Sequence, residues 1–280
     1  MNFKNKLITK FWVPFYLSPC LPFLYIEKLF NKPKKVIPLS EHNIGSETDP
    51  VFLTAHRGVT AIAPENTIPS YKKAVELGYY SAECDIRLTK DNKWVLIHND
   101  TVDKLYYQFG PISDFTLKEA KMLKHQYGSN FWKKEMEIAT LDEFLDVFVG
   151  SDTRPQIEIK TETYDMLYTV IDAIKAKGLE KTAIIISFDL EQLKIIHELD
   201  SSIELWYLIG KITEENIAEA KALGDNVWLS PGYHDNDEAS IKLAVDAKIG
   251  LSFWTVNKIE DARKLYDMGV RYLESDILCR

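Results

Sequence analysis

The chain has 280 residues, 46% of them apolar and 27% charged, which is enough apolar material for a large core and too little charge for a disordered polymer. Its 42 Asp and Glu against 34 Lys and Arg leave a net charge of -8, which excludes a general nucleic-acid binder, because neutralising phosphates requires a basic face. Three scattered cysteines, Cys20, Cys84 and Cys279, imply neither a disulfide framework nor a thiolate zinc site.

The first residues differ from the rest. Residues 1–35 hold seven lysines against one acid, Glu27, so this arm carries +6 and the remainder -14 of the total of -8. Within it, residues 11–26 run without charge but contain Pro14, Pro19 and Pro22. That run is shorter than the roughly 20 residues of a spanning helix and is broken by proline. Three readings stay open: an interfacial membrane anchor rich in aromatics and lysine, a segment packed over the catalytic domain, and an export signal lacking a small-residue cleavage site. We assign residues 1–48 to the arm and 49–280 to a single domain.

From residue 51 onward short apolar or β-branched runs alternate with helical periodicity. Strands are predicted at 51–55, 80–86, 156–160, 183–188, 203–209, 227–230, 251–256 and 271–277, and helices at 67–77, 164–177, 190–198, 214–223, 239–248 and 259–268. Several of these helices stop at a glycine, such as Gly78, Gly178, Gly224 or Gly269. Near-continuous apolar strands separated by helices make a parallel sheet covered by helices. Eight such units fit an α/β fold of the TIM (β/α)8 barrel type better than an open doubly wound sheet, and no G-x-G-x-x-G turn follows the first strand. The stretch from about 99 to 137 is too long for a β-to-α loop and reads as a small insertion after the second strand, at the catalytic rim. No helix follows the eighth strand, and residues 21–30 of the arm are a candidate to cover the strand surface so exposed.

Strand alternation sends Glu83 and Asp85 to one face and Cys84 to the other, and it pairs Glu158 with Lys160 on the third strand. The first strand ends in His56-Arg57-Gly58. In a barrel these positions converge at the C-terminal ends of the strands. Three carboxylates meeting there repel one another unless a cation sits between them, and a hard ion such as Mg²⁺ or Ca²⁺ suits all-oxygen ligands. Structural salt bridges from Arg57 and Arg87 to Glu83 and Asp85 are the other reading, and spacing alone leaves both open.

His56-Arg57-Gly58, then Pro64-Glu65-Asn66-Thr67, Glu83-Cys84-Asp85, His98, the 139–143 segment, Glu158-Ile159-Lys160, Ser187-Phe188, the 254–257 segment and Glu274-Ser275-Asp276 follow in order. This ordered set, spanning about residues 51–280, resembles the glycerophosphodiester phosphodiesterase family. The resemblance implies a TIM barrel with an insertion after the second strand and metal-dependent cleavage of glycerophosphodiesters, such as glycerophosphocholine, to glycerol 3-phosphate and an alcohol. It implies Glu83, Asp85 and Glu158 as metal ligands and His56 and His98 as an acid–base pair. It also implies Arg57 and Lys160 on phosphate oxygens, Glu65 in support, and Phe188 and Trp254 as an apolar wall beside the glycerol. The sequence departs from the family where its usual His-Asp pair reads His98-Asn99-Asp100.

The chemistry calls for the same residue types. A phosphodiester needs charge neutralised on its non-bridging oxygens and a proton for the departing oxygen, and histidine moves protons near neutral pH. A lysophospholipase D acting on longer lipids and a silent barrel that binds lipid headgroups are the alternatives. His125, His197 and His234 match no motif and are expected at the surface, Trp132, Trp206 and Trp228 in packing, and Gly58 at a close backbone approach. The expected partner is a small-molecule diester rather than nucleic acid. The expected location is cytoplasmic with membrane contact through the arm, or exported.

Overall fold

The computed structural model describes residues 35–126 and 136–279. Its strands are β1 (Ile37–Pro38), β2 (Phe52–Ala55), β3 (Ser81–Leu88), β4 (Trp94–Leu96), β5 (Arg154–Ile159), β6 (Ile184–Ser187), β7 (Glu204–Ile209), β8 (Val227–Pro231), β9 (Ser252–Phe253), β10 (Tyr272–Ser275) and β11 (Leu278–Cys279). Its α-helices are α1 (Ile68–Glu76), α2 (Leu117–Ala120), α3 (Leu141–Asp146), α4 (Leu167–Ala176), α5 (Leu190–Leu199), α6 (Glu214–Leu223), α7 (Glu238–Asp246) and α8 (Ile259–Asp267). Eight strands run parallel in the order β8-β7-β6-β5-β3-β2-β10-β9. Parallel bridges Leu229–Leu251 and Gly232–Trp254 then bring β9 back to β8. The sheet is thus nearly closed into the expected barrel.

Local chemistry explains the elements. Strands such as β6, with Ile184, Ile185 and Ile186 all buried, are apolar on both faces because helices cover one and the barrel interior the other. Several helices begin where a side chain takes up orphan N–H groups: Thr140 with Glu143 at α3, Thr213 with Asn216 at α6, and Asp237 with Ser240 at α7. Cys84 lies in the layer between strands and helices, opposite to its neighbours Glu83 and Asp85, as alternation requires.

The barrel interior is divided. Ile184, Ile186, Trp206 and Leu208 fill the β6–β7 half, and Trp206 stacks on Trp228 at 5.4 Å. The half formed by β2, β3, β5 and β10 is polar: Thr54 and Ser81 share a hydrogen bond of 2.6 Å, Ser81 donates to Gln156 at 3.1 Å, and Gln156 donates to Glu274 at 3.0 Å. This polar half leads up to the site.

Some expectations change. The run at 251–256 yields only the two residues of β9, flanked by single bridges. Trp94–Leu96 form an antiparallel strand on β3 that the short run did not announce, with Asn92 in the left-handed conformation at the turn. The residues after the eighth strand return as β11, parallel to β1, and the Tyr79 hydroxyl donates to the Leu278 carbonyl at 2.7 Å. Leu39 and Ile44, in the segment the sequence reading groups with the arm, are buried in the barrel's main core. His125 is buried rather than at the surface, its ring 5.1 Å from that of Tyr106. Residues 21–30, with the arm's other readings, and Trp132 lie outside the described residues. Among the described residues no helix is long and apolar enough to cross a membrane.

Candidate active site

The β2 strand ends in a tight turn. Arg57 has φ 57° and Gly58 φ 82°, and a Cβ on Gly58 would lie 2.1 Å from Ser70 Oγ, so only glycine fits. The turn points the Arg57 amide at Glu83, whose Oε2 accepts it at 2.8 Å. It also lets the Arg57 guanidinium reach Glu65 at 3.3 Å and Asp85 at 3.4 Å. Strain of this kind persists where surrounding contacts over-determine it.

Glu83, Asp85 and Glu158 come together as alternation on β3 and β5 predicts, since Asp85 is paired with Glu158 in the ladder. One oxygen of each lies within 4.8 Å of the others, and all three are buried. Asp85 is held by Asn66, which donates to its Oδ2 at 2.8 Å and accepts its backbone N–H at 3.1 Å. Lys160 pairs with Glu158 and lies 3.4 Å from Asp85. Burial pushes Asp85 upward, but Lys160 and Arg57 outweigh it and hold the carboxyl below its ordinary range. Glu83 goes the other way: burial first, then the charges of Asp85, Glu274 and Glu158 raise it well above. Burial and Asp85 raise Glu158 to about 7 despite Lys160. Glu83 Oε1 and Asp85 Oδ1 are buried without a hydrogen-bond donor. Unsatisfied buried oxygens in a carboxylate-rich cluster are what a hard divalent ion coordinates, so the donor set fits one.

The two histidines stand in different company. His56 Nδ1 donates to Asp276 Oδ1 at 2.8 Å, and its Nε2 lies 3.8 Å from Glu274. Asp276 is itself fixed by Asn257, which donates to Oδ2 at 2.7 Å and accepts the Asp276 amide at 2.9 Å. Burial disfavours the His56 imidazolium, but Asp276 and Glu274 outweigh burial and raise it. Burial opposes the ionised form of Asp276 too, yet the His56 hydrogen bond brings it down to about 2. His98 Nδ1 instead meets the amide oxygen of Asn99 at 2.9 Å. The departure at 99 therefore keeps an acceptor in place but removes its charge, and burial lowers His98.

Arg87 does not bridge the acids. It donates to the backbone oxygens of His98 at 2.9 Å and Lys160 at 3.3 Å, tying together the loops that carry them. Phe188 and Trp254 meet edge to face at 5.7 Å. Glu65 receives Lys104 of the insertion on both oxygens, at 2.7 and 2.9 Å. Lys104 had no signal in the sequence. Glu274 and Asp276 did have one: they repeat on the last strand the i, i+2 spacing of Glu83 and Asp85. Asn66, Gln156 and Asn257 are positioning groups that only the fold brings into place.

Residues 56–276 match the model of the Glycerophosphoryl diester phosphodiesterase family. A glycerophosphodiester phosphodiesterase from Caldanaerobacter subterraneus subsp. tengcongensis is 32% identical over 234 residues, 80% of this chain and 93% of the relative. A glycerophosphodiester phosphodiesterase structure from Thermotoga maritima superposes with a TM-score of 0.63 at 26% identity, over 81% of this chain and 94% of that one. A phosphodiesterase from Oleispira antarctica, in complex with the product sn-glycerol-3-phosphate, shares the fold with a TM-score of 0.70 at 23% identity, over 86% and 96%.

Proposed function

The chain belongs to the glycerophosphoryl diester phosphodiesterase family, and from that premise we propose that it hydrolyses small glycerophosphodiesters, glycerophosphocholine among them, to glycerol 3-phosphate and an alcohol, with Mg²⁺ or Ca²⁺ on Glu83, Asp85 and Glu158. The observation that carries the reading is a buried carboxylate cluster with unsatisfied oxygens, bordered by Arg57 and Lys160, with His56 beside Glu274 and His98 under the influence of Asp85, Arg57 and Lys160. The product named for the Oleispira protein is the one this reading expects.

When bound, the cation neutralises charge on the non-bridging phosphate oxygens. Arg57 and Lys160 add fixed positive charge beside it. Asn66, Lys160 and the Arg57 amide hold the carboxylates in place. Asp276 fixes the His56 tautomer with its proton on Nδ1, leaving Nε2 to exchange protons, and Asn99 does the same for His98. One histidine takes the proton of the attacking oxygen, and the other delivers one to the departing oxygen. Phe188 and Trp254 wall the glycerol side.

The test is release of glycerol 3-phosphate from glycerophosphocholine with Mg²⁺, with Ca²⁺ and with EDTA. Turnover should need a divalent ion, and His56→Ala and His98→Ala should each lose about 10²–10⁴-fold in kcat. Near wild-type turnover of either variant refutes its place in the pair. Turnover of lysophosphatidylcholine alone would move the assignment to a lysophospholipase D.

A further inference from the structure

We propose that His56, Glu83 and Glu274 form a second cation site, of mixed nitrogen and oxygen donors, that takes Zn²⁺ and silences the enzyme by holding His56 Nε2. Three neighbouring strands build it, in the order β3-β2-β10. Glu83 projects from β3, His56 directly follows β2, and Glu274 lies on β10 opposite Thr54 in the ladder. One carboxylate oxygen of Glu83, one of Glu274 and a ring nitrogen of His56 all lie within 4.8 Å of one another. Glu83 is common to this group and to the Mg²⁺ or Ca²⁺ cluster, whereas Asp85 and Glu158 belong only to that cluster and His56 and Glu274 only to the new one.

Each of the three side chains has one polar atom held in place and the other left for a ligand. His56 Nδ1 donates to Asp276 at 2.8 Å, and Asn257 fixes Asp276 in turn. His56 Nε2 has no hydrogen bond among the described residues; it faces Glu274 Oε1 at 3.8 Å, too far for one. Glu274 Oε2 accepts the Gln156 amide at 3.0 Å, and no lysine or arginine forms an ion pair with Glu274 among the described residues. Glu83, 1% exposed, accepts the Arg57 amide on Oε2 at 2.8 Å, while its Oε1 is buried without a partner. A histidine tied to a carboxylate with its far nitrogen open, beside carboxylates that are themselves hydrogen-bonded, is the outer shell that a zinc ligand set carries.

The donor chemistry separates this site from the first. Mg²⁺ and Ca²⁺ take oxygen ligands, whereas an imidazole nitrogen with carboxylates suits Zn²⁺. Three protein ligands and an open fourth position are the pattern of a zinc ion that keeps a water. Zn–N and Zn–O bonds of about 2.0–2.2 Å set neighbouring ligand atoms roughly 3.4 Å apart around a tetrahedron, so the 3.8 Å between His56 and Glu274 closes with a shift of about half an ångström. The effect on catalysis follows from the atom that is taken. Asp276 fixes the His56 proton on Nδ1, and a cation on Nε2 removes the position through which His56 exchanges protons. That inhibition rests on the phosphodiesterase reading. The binding of Zn²⁺ does not.

The experiment is calorimetric titration of Zn²⁺ into the full chain held in excess Mg²⁺, beside the variants His56→Ala, Glu274→Gln and Glu158→Gln. Wild type should bind Zn²⁺ tightly, and Glu158→Gln, which alters only the first group, should match it within about threefold, whereas His56→Ala and Glu274→Gln should each bind at least about tenfold more weakly. Asp276→Asn keeps all three ligands and should weaken binding about 10–100-fold, which carries the test where a ligand variant fails to fold. Zn²⁺ should also lower kcat on glycerophosphocholine, and added Mg²⁺ should not restore it. Zn²⁺ binding that Glu158→Gln abolishes and His56→Ala keeps, or inhibition that Mg²⁺ relieves, overturns the proposal, because the ion then occupies the first group. So does weak or absent Zn²⁺ binding by wild type. Failure of the phosphodiesterase reading shows separately, as no glycerol 3-phosphate from zinc-free wild type with Mg²⁺, and leaves the titration unchanged.

Discussion

His56 and Asp276 are 220 residues apart in sequence and 2.8 Å apart in space, and each sets the other's titration. Asp276 sits at about 2 because His56 donates to it. Its contribution to stability is present above its unfolded value of about 3.9 and is lost as pH falls through about 2. His56 is raised, against burial, by Asp276 and Glu274. Its contribution is full below the unfolded value of about 6.5 and fades as pH rises through the folded one. The pair therefore stabilises most between about pH 4 and 6.5. Asp276→Asn should lower Tm most in that window and least near pH 9, and should move the His56 limb of the rate profile to lower pH. Calorimetry across pH checks the first expectation, and a uniform loss would mean the pair is not coupled in this way. His98 has an amide oxygen rather than a carboxylate on its Nδ1, and burial outweighs the charge of Asp85 and the Asn99 hydrogen bond, so it is lowered where His56 is raised.

The insertion shows how an element reaches into chemistry it does not perform. Lys104 is exposed, so its own ion pair with Glu65 adds little to stability, yet it meets Glu65 while Glu65 meets Arg57. Lys104→Ala should lower kcat/KM about tenfold and change stability by less than about 0.5 kcal/mol, with Lys104→Arg restoring most of the rate. Steady-state kinetics beside urea unfolding separates the two effects, and an equal loss in both would make Lys104 a structural residue. This link was illegible in the sequence because nothing local marks which of six lysines between 104 and 134 folds back to residue 65. Glu83, Asp85 and Glu158 were legible for the opposite reason: strand periodicity alone sets their direction. β4 fell between these cases, since three apolar residues carry too little periodicity to announce a strand.

At the scale of the whole molecule the site costs stability. Burying Glu83 against Asp85, Glu274 and Glu158 without a cation works against folding. Mg²⁺ or Ca²⁺ at about 100 times its Kd should stabilise by about 2.7 kcal/mol and raise Tm by roughly 5–10 °C. Glu83→Gln keeps an oxygen for the Arg57 amide and removes one charge. It should raise the metal-free Tm and abolish the cation-induced shift, which calorimetry with and without the ion reads directly. A metal-free Tm below that of wild type would show that Glu83 is stabilising as a carboxylate. The fold as a whole was legible because eight strand–helix units repeat. Its seam was not, because β9 holds its place by two bridges and two residues rather than by a long apolar run. The adjacency of β2 and β10 has one more consequence, in the order of synthesis. A ribosome making about 5–20 residues per second delivers His56 long before Glu274 and Asp276. Until β10 emerges, the nascent chain holds the carboxylates of β3 and β5 without the residues that orient its first histidine, so catalytic competence should arrive in one late step with the closing of the barrel rather than accumulate during translation.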